Sequence, residues 1–131
     1  MMNVVIDTNV LVSALLNANG LPAKIMRLVF ERKIRLLCDR RIFAEYHNVL
    51  HRDKFHFDNG LVAYLLNFIK IEAIFIEATE QNTVFNDDDD KKFYEVFKTA
   101  QAEFLITGNM KHFPKEKGIV TPAEFYHNFF I

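Results

Sequence analysis

Acidic residues stand at several points of the chain where an apolar segment begins or ends. Asp7 and Asp39 each follow a short apolar run, and Asn109 follows shortly after a third such run. Four consecutive acids, residues 87–90, precede a segment with helical hydrophobic spacing. Oxygen ligands of this kind suit hard cations such as Mg²⁺. If they converge, two such ions roughly 4 Å apart can activate a water and stabilise the leaving oxygen of a phosphodiester.

Glu45 is a further candidate because it lies one turn inside a predicted helix, beside the apolar stripe of that helix. A carboxylate at such a position is costly unless something compensates it. Structural interpretations remain open for these acids. Glu45 can pair with Arg41 one turn earlier, Asp7 can act only as a helix N-cap, and one or two of residues 87–90 can serve the helix dipole.

Short apolar segments alternate with segments of helical periodicity along the chain. The spacing predicts strands at residues 4–6, 34–38, 71–76, 104–106 and 119–120. It predicts helices over residues 10–16, from Pro22 to 29, over 42–50 and 61–69, from about 89 or 90 to 100, and over 122–131. This alternation favours an α/β fold with a parallel sheet covered on both faces. Ligands of such sheets bind beyond the carboxyl ends of the strands, which is where the acids lie.

The composition is that of a single globular domain, residues 1–131. Hydrophobic residues make up 50% of the chain and charged residues 25%. The single cysteine, Cys38, lies in an apolar run, which predicts a buried thiol and excludes a disulfide scaffold. No apolar stretch reaches the roughly 18 residues of a membrane helix, and Asp7 comes too early for a signal peptide. The five histidines lack zinc-site spacing. We therefore expect a soluble cytoplasmic protein that contacts no membrane.

Charge is distributed unevenly, although the formal net charge is only −1. Residues 24–54 contain nine basic and four acidic residues, whereas residues 71–90 contain seven acids and no base. A basic region beside an acidic one fits a polyanion held next to a cation site. Two ordinary solvated faces would give the same pattern.

Four segments, taken in order, resemble the motifs of PIN-domain ribonucleases. They are VVIDTNVLVS at residues 4–13, FAEYHNVLHRDKF at 43–55, DDDDKKF at 87–93 and FLITGNMKHFP at 104–114. Each segment alone is weakly specific, but their order and spacing cover nearly the whole chain. Within this family the sequence is most similar to the group described as toxins of bacterial or archaeal toxin–antitoxin pairs.

The resemblance implies a three-layer α/β/α fold with a five-stranded parallel sheet, and cleavage of RNA that depends on Mg²⁺ or Mn²⁺. By motif position, Asp7, Glu45 and Asp90 match the catalytic and metal-binding acids, with Asp87 as a helper ligand one turn before Asp90. Asn109 matches a fourth metal-site position that is often Asp in the family. This departure removes one charge, so that a second metal is weakly held or depends on the substrate.

The resemblance also implies supporting residues and partners. Three polar positions near the site orient ligands or water, or serve only the local turns: Asn9, Ser13 and Thr107. Candidates for contacts with the RNA backbone come from the basic region: Arg40, Arg41, Arg52 and Lys54. An antitoxin protein and a second copy of the chain are the expected protein partners. The aromatic end, residues 125–131, is either a helix docked on the sheet or a partner surface.

Two other functions remain open from the sequence. With Asn109 marking a weakened site, the chain can be a PIN-like module that binds RNA or protein without cutting. A phospho-acceptor domain also carries an Asp at the end of its first strand, but it usually has a further acid beside it. Here the neighbours of Asp7 are Ile6, Thr8 and Asn9.

Overall fold

The computed structural model describes residues 1–130, in which strands and helices alternate. The element order is β1 (Met2–Ile6), α1 (Thr8–Leu16), α2 (Leu21–Phe30), β2 (Ile34–Cys38), α3 (Arg40–Leu50), α4 (Asn59–Glu72), β3 (Ile74–Phe75), α5 (Asp88–Thr99), β4 (Phe104–Ile106), β5 (Ile119–Val120) and α6 (Pro122–Glu124). Short turns lie at Asp53–Phe55 and Met110–His112, and a π-helical segment, Phe125–Phe130, follows α6. None of the helices in this part of the chain combines the length and the apolar character needed to cross a membrane.

The five strands form one parallel sheet in the order β3-β2-β1-β4-β5. Val4 and Val5 of the central strand point to opposite faces, and both are fully buried, so helices cover both faces. This is the three-layer α/β/α architecture that the sequence predicts. The strand order reverses between β1 and β4, which places Asp7 and Thr107, the residues that follow these strands, at the crevice where such sheets bind ligands.

The side chain of Tyr46 connects α3 to the central strand, β1, just before the crevice. Its side chain is completely buried, and its hydroxyl donates a hydrogen bond to the carbonyl oxygen of Ile6. Burial raises the pKa of Tyr46 well above its usual value, so the hydroxyl remains a donor. Because Ile6 immediately precedes Asp7, this contact fixes the backbone that carries Asp7 relative to the helix that carries Glu45.

Cys38 is a buried free thiol at the end of β2, as the sequence predicts. Burial raises the pKa of this thiol to about 12. The side chain therefore packs as a small apolar group and stays protonated near neutral pH.

The structure corrects the predicted third strand. Residues 71–76 were expected to be extended, but α4 continues to Glu72 and β3 contains only Ile74–Phe75. The β-branched Ile71 belongs to the helix and lies on its solvent side, where it is 78% exposed. Glu72, in the last turn, forms an ion pair with Arg32 at 2.6 Å, which holds the end of the helix against the loop after α2.

Several helix boundaries also differ by a few residues from those predicted. The first helix begins at Thr8, two residues earlier than predicted, and α5 begins at Asp88, one or two residues earlier. The closing segment is helical, as predicted, but only Pro122–Glu124 is α-helical and Phe125–Phe130 is π-helical. The predicted end of this helix, residue 131, lies outside the described residues.

The aromatic end packs against the sheet. Phe125 is fully buried, and its ring lies 5.3 Å from the ring of Phe104 on β4. The ring of Phe129 lies 4.7 Å from the same Phe104 ring at a tilt of 44°, and Phe129 remains 49% exposed. Docking on the sheet therefore accounts for most of this apolar surface.

Candidate active site

Asp7 is buried at the crevice and is held by the neighbouring strand. Thr107, which follows β4, donates its hydroxyl to Asp7 Oδ2 at 2.8 Å. Asp7 occupies the N-cap position of α1, yet its side chain makes no capping hydrogen bond. The pKa of Asp7 is raised from 3.8 to about 6, chiefly by burial; the hydrogen bond from Thr107 opposes this rise, and the nearby charges of Asp90 and Glu45 contribute to it. A pure capping role therefore does not explain this carboxylate.

Glu45 projects from α3 toward Asp7, and both of its carboxylate oxygens have partners. Thr8, the residue after Asp7, donates its hydroxyl to Oε2 of Glu45. Lys92 of α5 forms an ion pair with Oε1 at 2.7 Å. The surface pair between Glu45 and Arg41 that the helical spacing allows is not formed, since Arg41 turns to other acids.

Asp90 lies in the first turn of α5 and is mostly buried. His112, in the turn after β4, places its Nδ1 3.1 Å from Oδ2 of Asp90. Burial raises the pKa of Asp90, the charges of Asp87 and Glu45 raise it further, and His112 opposes them. These mutual effects show that Asp7, Glu45 and Asp90 are close enough to interact through their charges.

The remaining acids of the quartet are exposed. Asp87 is the N-cap of α5 and accepts a hydrogen bond from the amide of Asp89 at 2.9 Å. Asp88 and Asp89 are exposed in the first turn, where carboxylates interact favourably with the helix dipole. One of the four acids thus points into the site, one caps the helix, and two lie in solvent.

The predicted polar residues divide into those near the site and one apart from it. Asn109 is exposed and donates its backbone amide to the Thr107 hydroxyl at 3.0 Å. The side-chain oxygen of Asn9 accepts a hydrogen bond from the backbone amide of Gly108 at 3.3 Å, which connects α1 to the loop after β4. Ser13 lies exposed on α1 and, within residues 1–130, takes no part in this network.

Arg41 joins two buried acids beside the site. Its Nη2 lies 2.7 Å from Oδ2 of Asp39, and its Nη1 lies 2.8 Å from Oε1 of Glu95. Glu95 was not among the residues predicted from the sequence. The two carboxylate side chains are only 7% and 6% exposed, whereas the arginine is half exposed. Asp39 also caps α3 by accepting the amide of Ile42 at 2.8 Å. This network joins the start of α3 to the middle of α5.

We expect Arg41→Leu to lower the free energy of unfolding by about 2–3 kcal/mol. Removing one partner of a buried ion pair typically costs 3–5 kcal/mol, and the partial exposure of this arginine reduces that value. The matched control is Arg40→Leu, because Arg40 is exposed on the same turn; it should change stability by less than about 0.5 kcal/mol. Urea denaturation measures both, and equal effects would show that the Arg41 network contributes little.

The other candidate RNA contacts occupy two separate places. Arg40 stands exposed at the start of α3 and lines a cleft with Arg41, Phe75 and Thr79. Arg52 and Lys54 lie beyond the other end of α3, roughly 16 Å along its axis. The four candidates therefore lie at opposite ends of α3, with Arg40 and Arg41 at its start and Arg52 and Lys54 beyond its end.

The donor chemistry of the site fits a hard cation, because Asp7, Glu45 and Asp90 supply carboxylate oxygens at one crevice. Within residues 1–130, however, no three His, Cys, Asp or Glu side chains converge closely enough to hold a metal ion together. Two of the three acids instead contact cationic or titratable side chains of this chain, Lys92 and His112. The oxygen donors are present, but side chains of the protein already contact two of the three carboxylates.

Two comparisons show which known proteins the chain is similar to. A family model described as PIN domain matches residues 3–111, a span that contains Asp7, Glu45, Asp90 and Asn109. The chain is also similar to the uncharacterized protein MJ1680 of Methanocaldococcus jannaschii, with 37% identity over 110 residues. That alignment covers 81% of this chain and 70% of the relative.

Proposed function

Because this chain belongs to the PIN-domain family, whose members are generally nucleases, we propose that it is an endoribonuclease that requires Mg²⁺ or Mn²⁺. The observation that carries the proposal is the burial of Asp7 beside the charges of Glu45 and Asp90 at the point where the strand order reverses. Family membership also decides against a phospho-acceptor domain.

The residues of the site have distinct roles in this proposal. Asp7 and Asp90 would be the principal metal ligands, Asp87 would assist, and Glu45 would hold a second ion or a water. A divalent cation in this crevice would supply an acidic water and neutralise the charge that develops on the leaving oxygen. Thr107 holds the Asp7 carboxylate in place through its hydroxyl hydrogen bond. Asn109, a neutral residue at the fourth position, makes the second ion the weaker one.

The substrate side of the proposal rests on the exposed cations near the crevice. Arg40 is the most available of them, while Arg41 is engaged with Asp39 and Glu95. Contacts with the RNA backbone give affinity and salt dependence but little sequence choice. Arg52 and Lys54 would extend the contact along a longer RNA.

The proposal includes a biological context drawn from the motif resemblance. The chain would act in the cytoplasm as the toxin of a toxin–antitoxin pair, with an antitoxin protein and a second copy of itself as partners. The exposed Phe129 offers apolar surface for such a contact. A small reading frame immediately upstream, encoding a DNA-binding start and a disordered tail, would support the toxin role, and its absence would count against it.

Single-stranded RNA incubated with Mn²⁺, with and without EDTA, tests the enzymatic proposal. We expect cleavage only with the free metal, and products without a 2′,3′-cyclic phosphate, because water and not the RNA 2′-hydroxyl attacks the phosphorus. Cleavage in EDTA, or cyclic ends, would contradict the proposal.

A second candidate is a catalytically weak module that binds RNA or protein. It is favoured by Asn109 at the fourth position and by the pairing of Lys92 with Glu45. Intact RNA after incubation with Mn²⁺, at protein concentrations that shift the RNA on a gel, would support this second function instead.

A further inference from the structure

Lys92 is the charged group that most directly affects the acid crevice from within the protein. Its ammonium group lies 2.7 Å from Oε1 of Glu45, and the two side chains are only 11% and 25% exposed. Lys92 also donates a hydrogen bond to the carbonyl oxygen of Asp89, the residue immediately before Asp90. The side chain therefore connects α5 to α3 across the site and is held on both sides.

Both oxygens of Glu45 are engaged, since Thr8 donates to the oxygen that Lys92 leaves open. A divalent cation that uses Glu45 must displace one of these partners or share the carboxylate with it. Thr8 is neutral and can bond to a carboxylate that also contacts a metal. The positively charged Lys92 cannot remain in the same place without repelling the cation.

We propose that Lys92 is an internal counter-ion that positions Glu45 and competes with the divalent metal for its carboxylate, so that its charge sets the metal affinity of the site. This inference rests on the proposed metal-dependent function.

The test measures Mn²⁺ binding directly, by titrating EDTA-treated and desalted protein in a calorimeter, without RNA. Lys92→Met keeps most of the side-chain length and removes the charge, so we expect Mn²⁺ to bind at least about fivefold more tightly than to wild type. Lys92→Arg keeps the charge and should retain an affinity near that of wild type.

Lys91→Met is the matched control. Lys91 precedes Lys92 on α5, and both line a surface cleft with Arg41 and Glu95. In the described chain, however, the ion pair of Glu45 is with Lys92. Its replacement removes an equal charge, and the affinity should change by less than about twofold because solvent screens the more distant interaction. An equal gain in Mn²⁺ affinity in Lys91→Met and Lys92→Met would show that only the net charge of the protein matters. That result would contradict a specific competition between Lys92 and the metal.

The remaining outcomes separate this inference from the proposed function. If wild type and Lys92→Met bind Mn²⁺ equally, Lys92 is not a competitor, while the metal-dependent function stands. If neither protein binds Mn²⁺, both proposals are contradicted. Should Lys92→Met fail to fold, Lys92→Gln serves as the charge-removing variant, and circular dichroism establishes its fold before the titration.

Discussion

We expect Asp90→Asn to lower the rate of RNA cleavage by at least about a hundredfold and to leave the protein folded. A loss of this size corresponds to ~2.7 kcal/mol of transition-state stabilisation. Asp90 is the one member of the acidic quartet that is mostly buried and faces Glu45 and His112, so its charge acts on the crevice. Asparagine is nearly the same size and can still accept a hydrogen bond from His112, so the change removes charge without removing packing.

The neighbouring acids provide matched controls for this prediction. Asp88→Asn and Asp89→Asn alter exposed charges in the first turn of α5, which are worth about 0.3–1 kcal/mol each through the helix dipole. Their cleavage rates should stay close to that of wild type. Asp87→Asn keeps a good N-cap residue, so the partial loss of activity that we expect reports on its charge.

Cleavage rates of the four single variants over a range of Mn²⁺ concentrations make the comparison, with thermal melts as the control for folding. An inactive Asp88→Asn or Asp89→Asn beside an active Asp90→Asn would contradict the assignment of the third acid.

We expect Asp7→Asn to stabilise the protein in EDTA at pH 7.5 by up to about 3 kcal/mol. Burial raises the pKa of Asp7 to about 6 in the folded protein from 3.8, so folding favours the protonated carboxyl group. The shift is about two pH units, and each is worth about 1.36 kcal/mol. Asparagine keeps an oxygen that can accept from Thr107 and carries no charge to desolvate.

The pH dependence of this effect has a definite sign. Between about pH 4 and pH 6, Asp7 binds more protons in the folded protein than in the unfolded chain. The free energy of unfolding of the wild type therefore falls as the pH rises through that window. Asp7→Asn lacks this loss, and the difference between the two proteins should vanish near pH 4 and level off above pH 6. Urea denaturation at several pH values measures it, with Asp88→Asn as an exposed control. An Asp7→Asn protein less stable than wild type at pH 7.5 would show that the ionised carboxylate is net stabilising.

The parts of the fold that follow from local pattern could be predicted from the sequence. Short apolar runs mark β1, β2, β4 and β5, and parallel strands bring their carboxyl ends to one edge of the sheet. That reasoning places Asp7 near Thr107 without knowledge of side-chain contacts. The predicted bounds of the third strand were wrong because an apolar residue such as Ile71 or Ile76 fits a helix end, a strand or a loop equally well. Only the packing of the folded chain distinguishes these three structures.

The contacts between side chains of different helices could not be predicted in this way. Lys92 meets Glu45, and Glu95 meets Arg41, only because α5 packs beside α3, and the helical spacing within either element carries no sign of these pairs. His112 was considered only for zinc spacing, which it lacks, whereas its contact with Asp90 depends on how the turn after β4 lies against α5. A charged residue next to an apolar helical stripe was the available signal, and it identified Glu45; Lys92, four residues before Val96, carries the same signal.

The central claim is that the buried Asp7 carboxylate supports metal-dependent RNA cleavage, and the most direct measurement compares wild type and Asp7→Asn purified in parallel. Both are incubated with the same single-stranded RNA and Mn²⁺, and the cleavage rate is measured at equal protein concentration. We predict cleavage by wild type that stops on addition of EDTA, and a rate at least about a hundredfold lower for the variant. Equal cleavage by the two proteins would mean that the activity does not come from this site, and the claim would be contradicted.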